Sequence, residues 1–204
     1  MSTIDYYYTS SSPYAYLGHD AVLDVARRHG ARLAVKPVNL GAVFEVSGAL
    51  PLAQRPAVRQ RYRLVELQRM AEWRGKPINL KPRFFPTDAT LADCSTIAII
   101  ENGGDPTGFM RRIFSAVWVE NAEIADEAVV AERLAAEGFD AGQLIEMARD
   151  ETVAAIHAAN SQAAIDANIV GAPGFVLNGE PFWGQDRIEF LDRALASGRA
   201  PFRP

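Results

Sequence analysis

Cysteine is nearly absent from this chain of 204 residues, which holds Cys94 alone. A single thiol excludes an internal disulfide framework, a Cys-x-x-Cys redox pair and any multi-thiolate zinc site. Histidine is almost as scarce: His19, His29 and His157 lie far apart. No His-Glu-x-x-His or other paired spacing arises, which argues against a metal hydrolase. An excess of basic charge is missing too, because 21 Lys+Arg against 25 Asp+Glu leave a net of −4. Neither nucleic acid nor an anionic membrane is therefore expected as a partner. Long hydrophobic runs are lacking, the longest being a few residues such as 97–100, far short of the roughly 20 that cross a bilayer. The first eight residues carry no basic segment and run into serines, unlike a secretory peptide. A soluble cytoplasmic protein is expected.

What is present has a clear order. Ile4, Tyr6 and Tyr8 alternate with Asp5 and Tyr7, which predicts a short aromatic strand. Ser12 before Pro13 is a helix start signal, and Leu17, Ala21, Val22, Val25 and Ala26 continue at helical spacing. Arg27, Arg28 and His29 complement the negative end of the helix dipole, and Gly30 closes the helix, predicted over 13–29. Residues 33–38 read as a second strand that Pro37 stops or moves to an edge, so strand, helix and strand imply a parallel pair. From about residue 40 to 168 the pattern turns helical, with helices predicted over 56–73, 88–101, 106–119, 126–136, 140–149 and 151–168. Strands return at 174–177 and 181–183 around Asn178-Gly179, a two-residue hairpin signal. A final helix is predicted to open at Gln185-Asp186 and to end near Gly198. The front is βαβ, the back ββα, and the helical block between them reads as an insertion.

A strand, a tight turn with a small polar residue and proline, then a long helix is how thioredoxin-like proteins present a nucleophile at a helix N-terminus. Free amides and the dipole there favour an anion. Ser12 occupies the place of the first cysteine and Ala15 that of the second. A serine without an adjacent base is a poor nucleophile, so Ser12 suits the role of hydrogen-bond donor to a sulfur brought by another molecule. Its plainer role is that of an N-cap. Gly171-Ala172-Pro173 precedes the hairpin strand where such folds place a cis-proline, leaving the Ala172 backbone to pair with an extended peptide.

Tyr6 to Leu17, Lys36-Pro37-Val38-Asn39-Leu40-Gly41-Ala42, Glu66-Leu67-Gln68-Arg69, Gly171-Ala172-Pro173 and Phe182-Trp183-Gly184-Gln185-Asp186-Arg187 together resemble the 2-hydroxychromene-2-carboxylate isomerase family. That family is grouped with the kappa-class glutathione transferases and is similar in fold to DsbA oxidoreductases. The resemblance implies an α/β thioredoxin-like (DsbA-like) fold with an inserted all-α domain: residues 1–40 and 169–204 form the thioredoxin-like domain and 41–168 the insertion. It also implies glutathione as cofactor, a small aromatic substrate and a homodimer. Of the site residues, Ser12 would hydrogen-bond the glutathione sulfur, with Tyr14 nearby in the binding groove. Ala172 and Pro173 would pair with the cysteinyl segment, and Gln185 and Asp186 would hold the γ-glutamyl end. Asp186 could equally be an N-cap on local sequence. Many relatives carry an asparagine in the loop that here reads Ser47-Gly48-Ala49-Leu50-Pro51, so Ala49 is a departure at a glutathione-binding position. Two other functions stay open at this point, a kappa-like transferase or peroxidase acting on another electrophile, and a binding protein that has lost the glutathione site.

Remaining candidates have structural explanations. Cys94 falls on an apolar helix face and is expected to be a packed bystander. The basic run Arg55, Arg59, Arg61, Arg63 and Arg69 is expected on a solvated helix face. Trp73, Trp118 and Trp183 are expected in the core or lining the groove, and of Tyr14 and Tyr16 one must face the core.

Overall fold

The computed structural model describes residues 1–203. Strand β1 (Thr3–Tyr8) alternates as its sequence requires, sending Ile4, Tyr6 and Tyr8 to one face and Tyr7 to the other. Helix α1 (Pro13–Arg28) begins at the Ser12 cap, and Gly30 beyond it takes φ +58°, the left-handed value expected of a helix-closing glycine. Strand β2 (Arg32–Pro37) pairs parallel to β1 with Ile4 opposite Leu33. It is an edge strand, where Pro37 forfeits no ladder bond inside the sheet.

The middle of the chain is helical: α2 (Leu40–Ser47), α3 (Ala57–Arg74), α4 (Thr90–Glu101), α5 (Thr107–Trp118), α6 (Glu127–Ala136), α7 (Ala141–Ala148) and α8 (Glu151–Asp166). Helix α2 was not among the helices predicted one by one. It has only 8 residues, too few for apolar periodicity to register, and its real signal is the pair of ends: Asn39 accepts from the amides of Gly41 and Ala42, and Gly48 closes it at φ +73°. The hairpin β3 (Gly174–Leu177) and β4 (Glu180–Trp183) turns at Asn178-Gly179 with positive φ at both residues. The last helix, α9 (Ile188–Ser197), starts later than predicted, because Gln185–Arg187 forms a separate 3-10 turn.

The four strands lie in the order β2-β1-β3-β4, β1 with β2 parallel and the other two pairs antiparallel. One face carries the larger core, where Tyr6, Tyr8 and Phe175 meet Leu17 and Val22 of α1, Leu191 of α9 and the helical segment. Tyr6 stacks on Phe175 at 5.2 Å and Tyr8 meets Phe114 of α5 edge-on at 5.7 Å. The other face packs Tyr7, Val38 and Val176 on Val43 of α2 and Ala164 of α8. Helices α2 and α8, both from the middle of the chain, thus cover the second face of the sheet.

Strand directions decide where the loops gather. Tyr7 lies opposite Gly174, and Gly174 opposite Trp183, so the end of β1, the start of β3 and the end of β4 share one edge of the sheet. Parallel β2 finishes there too, with the Val38 amide donating to the Tyr8 carbonyl at 2.9 Å. Residues 9–12, 38–39, 171–173 and 184–186 are brought together although they are spread over the sequence.

Helix α1 reaches the last of these loops through Gly18, which is buried against Gln185. A Cβ on Gly18 would come within 2.7 Å of the Gln185 Cβ and 3.1 Å of the Ile188 Cδ1. Overpacking costs about 1–3 kcal/mol, while replacing a helical glycine gains about 1 kcal/mol. Gly18→Ala is therefore expected to lose up to about 2 kcal/mol in a urea titration, and an unchanged midpoint would contradict this packing.

Candidate active site at the N-terminus of the first long helix

Ser12 is 5% exposed and performs two jobs at once. Its Oγ accepts from the Ala15 amide at 3.2 Å, which caps α1, and donates to the Ala172 carbonyl at 3.2 Å. The N-cap role and the expected proximity to residue 172 are both present. Ala172-Pro173 is cis, as expected from the sequence. Proline at the first helical position contributes no N–H, and the Ala15 amide is taken by Ser12. The Tyr14 amide of the first turn has no acceptor among the described residues. The Ala172 amide likewise has none. A hydroxyl and two free amides at the positive end of a helix form a donor set for a sulfur anion or a peptide edge.

The turn that carries Ser12 is held by a residue that sequence reasoning missed. Asp93 of α4 is 2% exposed and accepts from Thr9 Oγ1 at 2.8 Å, from the Ser10 amide at 2.8 Å and from Ser10 Oγ at 2.6 Å. One turn further along α4, Thr96 Oγ1 accepts from the Tyr8 hydroxyl at 2.9 Å. Burial pushes the Asp93 carboxyl up to about 7, with the Ser10 and Thr9 hydrogen bonds pulling it back. No local signal marks Asp93, since its partners lie more than eighty residues earlier.

The C-terminal loop closes the third side. The Gly184 amide donates to the Pro173 carbonyl at 2.9 Å, and Gly184 takes φ +101°, where a side chain would be strained and its Cβ would meet Asp186 Oδ1 at 2.4 Å. Gln185 is 1% exposed. Its Oε1 accepts from Arg74 Nε at 2.9 Å, its carbonyl from Arg74 Nη2 at 2.7 Å, and its Nε2 points to Met70 Sδ at 2.7 Å. Its side chain therefore anchors Arg74 of α3. Asp186 is half-buried in the loop, pairs with Arg187 at 2.5 Å, and does not cap α9, which begins two residues later without a side-chain cap.

The two tyrosines divide as helical spacing requires. Tyr16 is buried, with its hydroxyl donating to the Pro77 carbonyl at 2.5 Å. Tyr14 is half-buried on the groove side, and burial raises its phenol in a field set by Arg63, Glu66, Arg55 and Asp186. Ala49 follows Gly48 in the loop after α2, where Ser47 Oγ donates to the Val170 carbonyl at 3.2 Å and ties this loop to the segment before Ala172. Asn39 caps α2, its Oδ1 accepting from the Gly41 and Ala42 amides. Trp183 lies against Gly171, whereas Trp118 is fully buried. Trp73 and Trp183 both depart from burial, at 56% and 54% exposed, and Trp73 has the Arg74 guanidinium 4.3 Å above its ring.

The basic run also needs one correction. Arg59, Arg61 and Arg69 are exposed as a solvated face would be, yet Arg63 is only 8% exposed. It turns inward between Phe85 and Trp118. Cys94 is buried, and burial next to Asp93 pushes its thiol up to about 11, which leaves it unreactive. His19 is fully buried and its ring is pushed down to about 4. No group of His, Cys, Asp and Glu among the described residues is arranged to hold a metal, and no helix is long and apolar enough to cross a membrane.

Comparison with known proteins places this geometry. A family model described as a DSBA-like thioredoxin domain matches residues 3–196. The 2-hydroxychromene-2-carboxylate isomerase of Sphingobium xenophagum is 25% identical over 195 residues, covering 95% of this chain and 97% of that one. A solved structure of a 2-hydroxychromene-2-carboxylate isomerase superposes with a TM-score of 0.79 at 22% identity, over 96% of this chain and 95% of that chain. The cytosolic disulfide reductase DsbM from Pseudomonas aeruginosa, solved with GSH, superposes with a TM-score of 0.68 at 18% identity, over 95% and 99%.

Proposed function

Since the chain belongs to the family of DSBA-like thioredoxin domains and carries serine where a dithiol oxidoreductase needs cysteine, we propose that it is a glutathione-dependent isomerase of the 2-hydroxychromene-2-carboxylate type. The observation that carries this reading is the position of Ser12, at the head of α1 and 3.2 Å from the carbonyl of Ala172. Similarity to proteins named as this isomerase over nearly the whole chain supports it.

The donor set fits glutathione. Ser12 would turn its hydroxyl from the Ala172 carbonyl to the sulfur, joined by the free Tyr14 amide. A free thiol ionises near about 8.5, so a hydroxyl donor and the helix dipole together favour the thiolate at neutral pH. The Ala172 amide and carbonyl would pair with the backbone of the tripeptide. Asp186 would meet the ammonium of the γ-glutamyl end, while Gln185 holds Arg74 and the loop in place. When bound, glutathione supplies the nucleophilic sulfur that adds reversibly to the conjugated aromatic substrate, permitting rotation before elimination to the trans benzylidene-pyruvate product. The chain itself positions and excludes water. No net redox change occurs, which accords with a single, unreactive cysteine.

Two measurements test this. Calorimetric titration is expected to show glutathione binding in the micromolar to millimolar range, and interconversion of the chromene and benzylidene-pyruvate forms is expected to require it. Equal rates without glutathione, or no binding at millimolar concentration, would overturn the proposal. The second result is the one that Ala49 would produce if this loop were indispensable.

A further inference from the structure

An open cleft of about 480 Å³ lies between α3 and the segment before α4. Its walls are apolar at Leu52, Leu64, Leu80, Pro82 and Phe85, and its charged groups are all cationic: Arg61, Arg63 and Lys81. Arg63 is the unusual one. A guanidinium carries five donors and stays charged, so burial without a carboxylate or hydrogen-bond acceptor is costly. Here Arg63 is 8% exposed and lies over the rings of Phe85 at 5.4 Å and Trp118 at 5.9 Å. It has no hydrogen bond or ion pair among the described residues, and none of its nitrogens is a fully buried unpaired atom. The fold therefore keeps a mostly buried cation without a carboxylate partner, its guanidinium still open to the apolar cleft that it lines and within electrostatic reach of Tyr14, in the first turn of the helix that Ser12 heads.

We propose that Arg63 and this cleft form the subsite for an aryl carboxylate, the ring lying among Leu64, Leu80 and Phe85 and the carboxylate taken by the Arg63 fork. The chemistry matches: a guanidinium pairs both oxygens of a carboxylate at once, and apolar walls strengthen the pair by excluding water. Arg61 and Lys81 at the cleft give the same sign of field and would draw an anion toward it. The inference rests on the isomerase reading for the identity of its ligand, but the subsite is defined by its own residues. Glutathione also carries carboxylates, and the geometry favours the aromatic molecule because the cleft is lined by apolar side chains.

The test compares trans-cinnamate, an unreactive aryl carboxylate, with its neutral isostere cinnamamide, measuring binding to the wild-type protein and to Arg63→Met. Cinnamate is expected to bind roughly 10- to 100-fold more tightly than cinnamamide to the wild type, and Arg63→Met is expected to erase that difference. Glutathione affinity should be unchanged. Thermal melting should show no loss, because the variant removes an unpaired buried cation and not a partnered one. Equal affinity of the wild type for acid and amide would overturn the proposal. So would loss of glutathione binding in Arg63→Met with cinnamate binding intact, since the carboxylate would then belong to the tripeptide. If the isomerase assay fails but the acid preference and its loss in Arg63→Met remain, the subsite stands and only the reaction is wrong.

Discussion

Ser12→Ala is expected to lower kcat/KM for the isomerisation by about 100-fold or more, the usual effect of removing one preorganised donor to a developing or bound anion. Stability complicates this variant, because the same oxygen caps α1; loss of a serine cap costs about 1 kcal/mol. Ser12→Gly separates the two effects. Glycine at a cap position costs only a few tenths of a kcal/mol, yet it has no hydroxyl. If the hydroxyl serves the sulfur, both variants lose activity to the same extent although Ser12→Gly melts nearly as the wild type does. The pH profile supplies a second readout: without the donor, the rise in rate that follows thiol ionisation should move to higher pH. A Ser12→Gly protein with wild-type turnover would reduce Ser12 to a structural cap.

Asp93→Ala is expected to be the most destabilising single change in the turn. It removes the acceptor of three hydrogen bonds and leaves the Thr9 hydroxyl, the Ser10 amide and the Ser10 hydroxyl unmatched in a buried place. A buried donor stranded in this way costs about 1–3 kcal/mol, so a total above about 3 kcal/mol is expected in a denaturant titration. Asp93→Asn keeps the shape and one acceptor oxygen, and should keep most of the stability. The two variants also differ from the wild type in pH dependence. The Asp93 carboxyl titrates from its ordinary 3.8 up to about 7 in the folded protein, chiefly through burial. A folded-state value raised above the unfolded one means that the contribution to stability is full below about 3.8 and is lost as pH rises through about 7. The wild type should therefore lose stability across that window relative to Asp93→Asn. Parallel pH curves for the two proteins would show that Asp93 is ionised throughout. Thr9 to Ser12 is one continuous turn, so a loosened Asp93 anchor should also lower kcat through misplacement of Ser12.

How much of this was legible depended on the distance over which each signal acts. The β1 alternation, the Ser12-Pro13 start of α1 and the Asn178-Gly179 hairpin are local, because a strand face, a cap and a turn are decided by residues within a few positions of one another, whereas cis-Pro173 was expected from its place in a thioredoxin-like fold. Pro37 left β2 either stopped or at an edge, and the strand order of the sheet decided for the edge. Helix α2 escaped because two turns are too short for periodicity, and the displacement of α9 escaped because a 3-10 turn and an α-helix begin with similar residues. Gln185 and Asp186 looked equivalent in the sequence. Packing against Gly18 and Arg74 made the first a buried brace and left the second half-buried, paired with its neighbour Arg187.

The sequence by itself determined that this protein has no internal dithiol, since it has one cysteine, and that a serine heads the helix where a thiol would act. It also determined the order of the strands and of every helix but α2. Only the tertiary structure decided that Asp93 holds the Ser12 turn and that Arg63 leaves its basic run to lie against Phe85 and Trp118. The physical reason is the same in both cases: the cost of burying a charge is set by partners that the chain brings from far away. No neighbouring residue records which charge will be matched, as Asp93 is by Thr9 and Ser10, and which will be left open, as Arg63 is.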